Sequence, residues 1–153
     1  MTSRKLVLAA AGGSLVMLLG AFAFQVFGGL APCTLCLWQR WPHAAAVLIG
    51  LAALALPGRA LPLLGMLAAL ATAAIGGFHA GVELHWWEGL QSCSGGSLAA
   101  IDVGDLLNPA ADVAPPVRCD QIAWSMAGLS MAAWNMVISL GLAALWLAAA
   151  RTR

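Results

Sequence analysis

The sequence predicts an all-α membrane protein, a four-transmembrane-helix bundle with a long extracytoplasmic loop between spans three and four. Three observations predict it: a composition too apolar for water, four long hydropathic runs, and charge sorted to the two sides of those runs. Of the 153 residues, 62% are hydrophobic and 8% charged, against about 45–50% and about 25% in soluble domains. A water-soluble fold of this length has no interior large enough for so much apolar surface, so lipid is the solvent for most of the chain. Net charge is +1 with no basic run, so nothing points to nucleic acid.

The runs cover residues 6–27, 37–56, 61–82 and 126–149. Each has about the twenty residues that, at a rise of about 1.5 Å, cross a hydrocarbon core of about 30 Å. Only helices or closed barrels satisfy the backbone in lipid. Unbroken Ala, Leu, Gly and Val do not show barrel alternation, so the runs are helices. In the first, Arg4-Lys5, an apolar stretch and Ala21-Phe22-Ala23 resemble a secretory signal with a cleavage site. The apolar stretch continues through Phe24, Val26 and Phe27, long enough to cross, and is read as an uncleaved anchor. The second is broken by Gln39, Arg40, Pro42 and His43. The Pro42 ring clashes with the Trp38 carbonyl, which predicts a kink. A span starting after Pro42 is only about 21 Å long, too short to cross. Leu56-Pro57-Gly58-Arg59 is a tight turn that makes spans two and three an antiparallel hairpin. The third span carries only His79 among polar ionisable groups, and the fourth ends before Arg151.

Residues 28–36 and 83–125 are then the loops of one face, and residues 1–153 form a single domain without repeats. Ser94-Gly95-Gly96-Ser97 and Pro115-Pro116 mark the long loop as mobile. Between them, residues 98–107 set Ile101, Leu106 and Leu107 among Asp102 and Asp105. That pattern suits either a short amphipathic helix on the bilayer or a solvated loop. Arg4, Lys5, Arg59, Arg151 and Arg153 fall on the opposite face, which the positive-inside rule assigns to the cytoplasm together with both termini. Glu83, Glu88, Asp102, Asp105, Asp112 and Asp120 all fall in the long outer loop. Trp38, Trp41, Trp86, Trp87 and Trp124 lie near the outer boundary as an interfacial belt, with His85 among them.

Four cysteines, Cys33, Cys36, Cys93 and Cys119, lie on the outer face, two in each loop. An even count in an oxidising setting fits disulfides, and the plainest reading is two staples, or one staple and a metal site. Cys33-Thr34-Leu35-Cys36 argues for chemistry instead. This C-x-x-C follows Pro32 at a helix entry, where partial positive charge favours thiolate. A staple that short constrains little chain. At about 100° per residue, Cys36, Arg40 and His43 share a narrow stripe, with Cys33 about 60° away, so the opening turns carry Cys, Cys, Arg and His toward the bundle. Ionisable groups inside a span are functional candidates; the competing readings are a snorkelling Arg40 and packing roles for His43 and His79. A Cys93–Cys119 cross-link is worth about 3–4 kcal/mol as a pure staple. One tuned pair and one pair in a mobile loop, however, suit thiol–disulfide exchange. No metal, flavin or nucleotide signature is present.

The chain resembles the DsbB family of bacterial disulfide-forming membrane proteins. The residues that carry the resemblance are Pro32-Cys33-Thr34-Leu35-Cys36-Leu37-Trp38-Gln39-Arg40, His79, Cys93, Cys119-Asp120, Trp124 and Gly128-Leu129-Ser130-Met131. C-x-x-C-x-x-[EQ]-R at the outer start of span two is the most specific part, and the likeness covers nearly the whole chain. The resemblance implies a bacterial inner-membrane oxidoreductase that reoxidises a periplasmic thioredoxin-fold (DsbA-like) dithiol partner and passes the electrons to a quinone, ubiquinone or menaquinone. It implies that Cys93 and Cys119 oxidise the partner, with Cys93 forming the mixed disulfide. It also implies that Cys33 exchanges with Cys119, that Cys36 stands beside the quinone as a thiolate, and that Arg40, and more loosely His79, serve the quinone site. No role carries onto Pro42 or His43.

Three other readings compete. A vitamin K epoxide reductase-like protein places its C-x-x-C after the loop cysteines, on a late helix, whereas here it comes first. A metal transporter wants Cys and His ligands across the bilayer, whereas all four cysteines lie outside. A structural subunit with two staples needs no tuned C-x-x-C. The one-sided charge distribution gives a direct test of topology. In a background lacking the four cysteines, a cysteine at Gly58 is expected to resist an impermeant thiol reagent in intact cells, and one at Gly95 to react. Labelling at Gly58 without permeabilisation contradicts the four-span arrangement.

Overall fold

The computed structural model describes residues 2–90, 93 and 117–152. Four long helices make up nearly all of it: α1 (Ser3–Val26), α2 (Thr34–Ala55), α3 (Ala60–Glu83) and α4 (Met131–Arg151). A two-residue antiparallel ladder, β1 (Ser125–Met126) with β2 (Leu129–Ser130), precedes α4. It occupies the stretch where hydropathy alone begins the fourth run at Met126. Ala127 and Gly128 both have positive φ and reverse the chain tightly, as a two-residue hairpin turn requires. Ser130 then caps α4, its side chain accepting from Ala133 N–H at 3.2 Å. The possible amphipathic helix over residues 98–107, and the markers at 94–97 and 115–116, lie outside the described residues.

Three of the helices, α1, α3 and α4, are long and apolar enough to cross a membrane. Helix α2 is not among them, because Gln39, Arg40 and His43 occupy its first half. It nevertheless runs through Pro42 as one helix. Packing is closest between α3 and α4 and between α2 and α3, and α1 lies against α2 and α4. Leucines and valines such as Leu8, Val16, Leu19, Leu48 and Leu67 point outward, as a lipid-facing surface allows.

The bundle has two distinct interiors. At the end carrying Arg4, Lys5, Arg59 and Arg151, Leu6, Val7, Ala10, Ala53, Ala69, Leu142 and Ala149 enclose the fully buried Trp146. Small residues make room for that indole. A Cβ on Gly65 would stand 2.6 Å from the Trp146 ring, and one on Gly50 would stand 2.4 Å from Ala11 Cβ. At the opposite end a second cluster holds Cys33, Leu35, Val82, Cys93 and Cys119. Between the two, polar side chains join α2, α3 and α4. Thr72 Oγ1 donates to the Gln39 carbonyl at 3.1 Å, and Asn135 Nδ2 donates to Thr72 Oγ1 at 3.1 Å and to its carbonyl at 3.2 Å. His43 Nε2 meets Asn135 Oδ1 at 2.9 Å. Such bonds hold helices together in lipid, where apolar burial gives little drive for association.

Because Gly65 sits flat against the Trp146 ring, Gly65→Val is expected to destabilise the bundle by about 1–3 kcal/mol through overpacking. Gly12→Ala, whose added Cβ meets nothing within 4 Å, is expected to cause no loss. Unfolding of both variants in mixed micelles checks the contrast.

Candidate redox site

The sulfur cluster is built from three separate stretches of chain. Cys33 is the N-cap of α2, its sulfur accepting the Cys36 N–H at 3.2 Å, and the helix therefore begins in a thiol. Cys36, one turn in and half-buried, lies with its sulfur 2.7 Å from that of Cys33. Both are thiols, close enough to join with little movement. Cys33 donates to Cys36, and this bond together with burial pushes its thiol well above the ordinary range. Cys33 therefore keeps its proton and Cys36 is left as the acceptor. Cys93 and Cys119 form a disulfide with Cα atoms 4.9 Å apart, and Cys119 N–H donates to the Cys93 carbonyl at 3.1 Å.

Both loop cysteines are buried, at 1% and 0% exposure, whereas the sequence places them in a polar, mobile loop. They pack against Val82 and the α2 entry, and burial of that kind is a product of tertiary contact. A groove of about 650 Å³ bounded by His85, Trp86, Trp87, Glu88 and Asp120 borders Cys93 from outside. Beside Cys119, Arg118 and Asp120 form an exposed pair, and hydrogen bonds from the guanidinium hold the Asp120 carboxyl below its usual range.

The residues of the α2 stripe part company in space. His43 turns to Asn135 on α4. Arg40 turns to α1, donating from Nη1 to Gln25 Oε1 at 2.7 Å with its guanidinium 4.8 Å from the centre of the Phe22 ring. Its Nε is buried without a hydrogen-bond partner among the described residues, as is His43 Nδ1. Gln39, the residue before Arg40 on the helix, is buried and faces α3, with Nε2 donating to the Leu35 carbonyl at 3.2 Å and standing 3.0 Å from His79 Nδ1. His79 Nε2 then lies 3.6 Å from Cys33 Sγ and 3.8 Å from Glu83 Oε1, and His79 is also hydrogen-bonded to the backbone of Cys119.

Glu83 corrects the sequence reading. The sequence places it in the outer loop, whereas it is the last residue of α3, buried, and accepts a hydrogen bond from Ser130 on its second oxygen. The signal for it was available: His79 and Glu83 are four apart and share a helix face. Gln25 and Ser130 carried no such signal.

A cavity of about 350 Å³ opens beside this cluster, lined by apolar side chains of α1 and α4 and, from α2, by Cys36, Arg40 and His43. An apolar slot with a few convergent polar groups is what a small hydrophobic ligand requires. Arg40 Nε, buried without a partner among the described residues, is an unused donor in this largely apolar wall. Cys33, Cys36 and His79 also bring their ligand atoms within 4.8 Å of one another, a spacing that could hold a metal ion. The expectation of no metal site rests on sequence spacing alone.

The family model for disulfide bond formation protein DsbB matches residues 3–149. The chain belongs to the DsbB family. It is 36% identical over 136 residues to Disulfide bond formation protein B of Methylococcus capsulatus (strain ATCC 33009 / NCIMB 11132 / Bath), an alignment covering 84% of this chain and 82% of that relative. No solved structure matches it. The resemblance carried by C-x-x-C-x-x-[EQ]-R is thereby established, and a membrane protein of disulfide bond formation displaces the metal-transport and structural-subunit readings. For a DsbB protein with its first pair reduced, the geometry gives a clear order of thiol reactivity. The half-buried Cys36 is expected to react before Cys33 with an uncharged maleimide. Cys33 labelling should rise with pH through the alkaline range, because the thiolate is the nucleophile and this thiol is held up. Peptide mass spectrometry resolves the two sites, and equal labelling at neutral pH contradicts the assignment.

Proposed function

We propose that this DsbB protein reoxidises a periplasmic thioredoxin-fold dithiol partner and delivers the electrons to a membrane quinone, sustaining disulfide formation outside the inner membrane. The observation that carries the reading is the packing of Cys33 with Cys93 and Cys119 in one buried cluster whose other side, at Cys36 and Arg40, borders an apolar cavity. Two pairs packed into one cluster can pass electrons by thiol–disulfide exchange, in which a thiolate attacks a disulfide sulfur through a mixed disulfide. The Cys93–Cys119 disulfide is the pair for the partner. Cys93 takes the mixed disulfide and frees Cys119 to exchange with Cys33, leaving Cys36 as the thiolate.

Residues Cys36, Arg40 and His79, with His43 and the apolar flank of α1 in the same cavity wall, would hold the quinone, and His79 also stands against Cys33. A bound quinone supplies a two-electron acceptor that lives in the bilayer. Arg40 supplies fixed positive charge and a planar donor set, anchored by Gln25 and Phe22. It steadies the Cys36 thiolate and any negative charge that develops opposite it. In the arrangement proposed here α2 is the fourth span, both termini are cytoplasmic and the four cysteines face the periplasm, in keeping with the one-sided cations and the positive-inside rule.

The test couples oxidation of a purified thioredoxin-fold dithiol protein to reduction of added ubiquinone or menaquinone. Arg40→Ala is expected to oxidise one equivalent of partner through the preformed Cys93–Cys119 disulfide. Its steady turnover should fall by about 100–1000-fold, the usual loss when one such donor is removed. Arg40→Lys is expected to restore only part, since charge returns without the planar fork. Near-normal turnover in well-folded Arg40→Ala removes Arg40 from the quinone site, and the absence of quinone reduction by the parent protein overturns the reading itself.

A further inference from the structure

We propose that His43 Nδ1 is the hydrogen-bond acceptor for a hydroxyl of the reduced quinone, so that the cavity holds the reduced ligand more tightly than the oxidised one. The proposal deepens the function proposed above and rests on that reading for the class of ligand. His43 is a buried side chain, 3% exposed, on the cavity wall, and the family resemblance gives it no part. Four buried side-chain atoms lack a hydrogen-bond partner among the described residues. Two of them, Arg40 Nε and His43 Nδ1, belong to residues of this one cavity. An unpaired polar atom in an apolar interior is costly, and a ligand that pairs with it removes that penalty.

A chain of hydrogen bonds fixes what kind of atom Nδ1 is. The Thr72 carbonyl can only accept, so the Asn135 atom 3.2 Å from it is the amide nitrogen, which also donates to Thr72 Oγ1 at 3.1 Å. The Thr72 hydroxyl in turn donates to the Gln39 carbonyl at 3.1 Å. Asn135 therefore turns its side-chain oxygen to His43 Nε2, at 2.9 Å. Ser139 Oγ donates to that same oxygen at 3.5 Å, which holds the amide the same way round. An amide oxygen has no hydrogen to give, so Nε2 carries the ring proton. Nδ1 of the neutral ring is then an acceptor with a free lone pair. The edge of the ring that Asn135 does not take is the one left for a ligand.

The two unpaired atoms of the cavity differ in kind. Arg40 Nε donates and His43 Nδ1 accepts, one turn apart on α2, in a wall otherwise built largely from apolar side chains such as Met17, Phe24 and Ala132. A quinone offers acceptor oxygens alone and can satisfy only the donor. Its two-electron reduced form carries hydroxyls, each of which both donates and accepts, and can satisfy the two together. His43 thereby recognises the oxidation state of the ligand. Its hydrogen bond, made with the reduced form alone, favours the flow of electrons from the Cys33–Cys36 pair into the cavity. No proton passes to His43, and no bond breaks at it.

Ligand binding to the full-length protein in nanodiscs under argon tests this, with protein and ligand kept at the same oxidation level so that no electrons move. A short-chain ubiquinol and its dimethyl ether are titrated into the reduced protein, and the matching ubiquinone into the oxidised protein. In His43→Gln the longer amide keeps a donor where Nε2 meets Asn135 and leaves nothing in place of Nδ1. In His43→Asn the shorter amide sets its oxygen near the position of Nδ1 and gives up the bond to Asn135. Ubiquinol affinity is expected to fall about tenfold in His43→Gln, the order of one hydrogen bond, with the affinities for the ether and for ubiquinone unchanged. His43→Asn should keep most of the ubiquinol affinity while unfolding more readily in mixed micelles. Ubiquinol affinity that is kept in His43→Gln, or lost there equally with that for the ether and ubiquinone, marks a packing role and overturns the proposal. Ubiquinol binding that follows His43 in a parent protein that reduces no quinone upholds the proposal and overturns the turnover reading alone. A parent protein that binds neither ubiquinol nor ubiquinone overturns both.

Discussion

The hydrogen bond from the Gln39 amide to His79 Nδ1 is the join on which the outer half of the bundle depends. Gln39 lies on α2 and His79 on α3, both buried, and the Gln39 carbonyl takes the Thr72 hydroxyl from the same neighbouring helix. A buried amide without partners is costly, on the order of 1–3 kcal/mol, so the pair is held in register as long as the helices are packed. From that register follows the orientation of the imidazole, and from the imidazole follows which nitrogen faces Cys33. Thr72 passes the same constraint to Asn135, and Asn135 to His43. One chain of bonds thereby fixes three helices around the sulfurs.

The packing divides labour along the bundle axis. The Trp146 end is apolar and tight, with glycines pressed against an indole and an alanine, and its described core holds no cysteine or histidine. The sulfur end is less apolar, holds the buried ionisable groups and abuts the cavity. Apolar packing at one end lets the other keep polar groups in an oily setting, where a preorganised donor acts more strongly than in water. Exposed apolar side chains on the outer faces of α1 and α2 complete a molecule whose solvent is lipid on the sides and water only at the ends.

Burial of the Cys93–Cys119 disulfide changes how exchange with a soluble partner must be pictured. Neither sulfur is open to solvent, so in the proposed function a soluble partner approaches Cys93 from the groove bounded by Trp86, Trp87 and Glu88. Protection of this kind suits a disulfide that should meet one partner and ignore small thiols, because exchange depends on access as well as on potential.

By itself the sequence determined that the protein lives in a membrane and where its long helices lie, and it singled out C-x-x-C at a helix entry as the candidate for redox chemistry. These depend on composition, local periodicity and spacing, which act over one or two helical turns and can be read along the chain. It also drew attention to Arg40 and His79 as intramembrane polar groups. Only the tertiary structure decided that Arg40 turns to α1 and His43 to α4 although they share a stripe of α2, since rotamer and neighbour, not spacing, choose a side chain's direction. Only it moved Glu83 from the outer loop to a buried place beside His79 and Ser130, and brought Cys93 and Cys119 into one cluster with Cys33. The reason is the same in each case: these contacts join residues tens of positions apart, and a one-dimensional pattern has no term for what another helix places opposite.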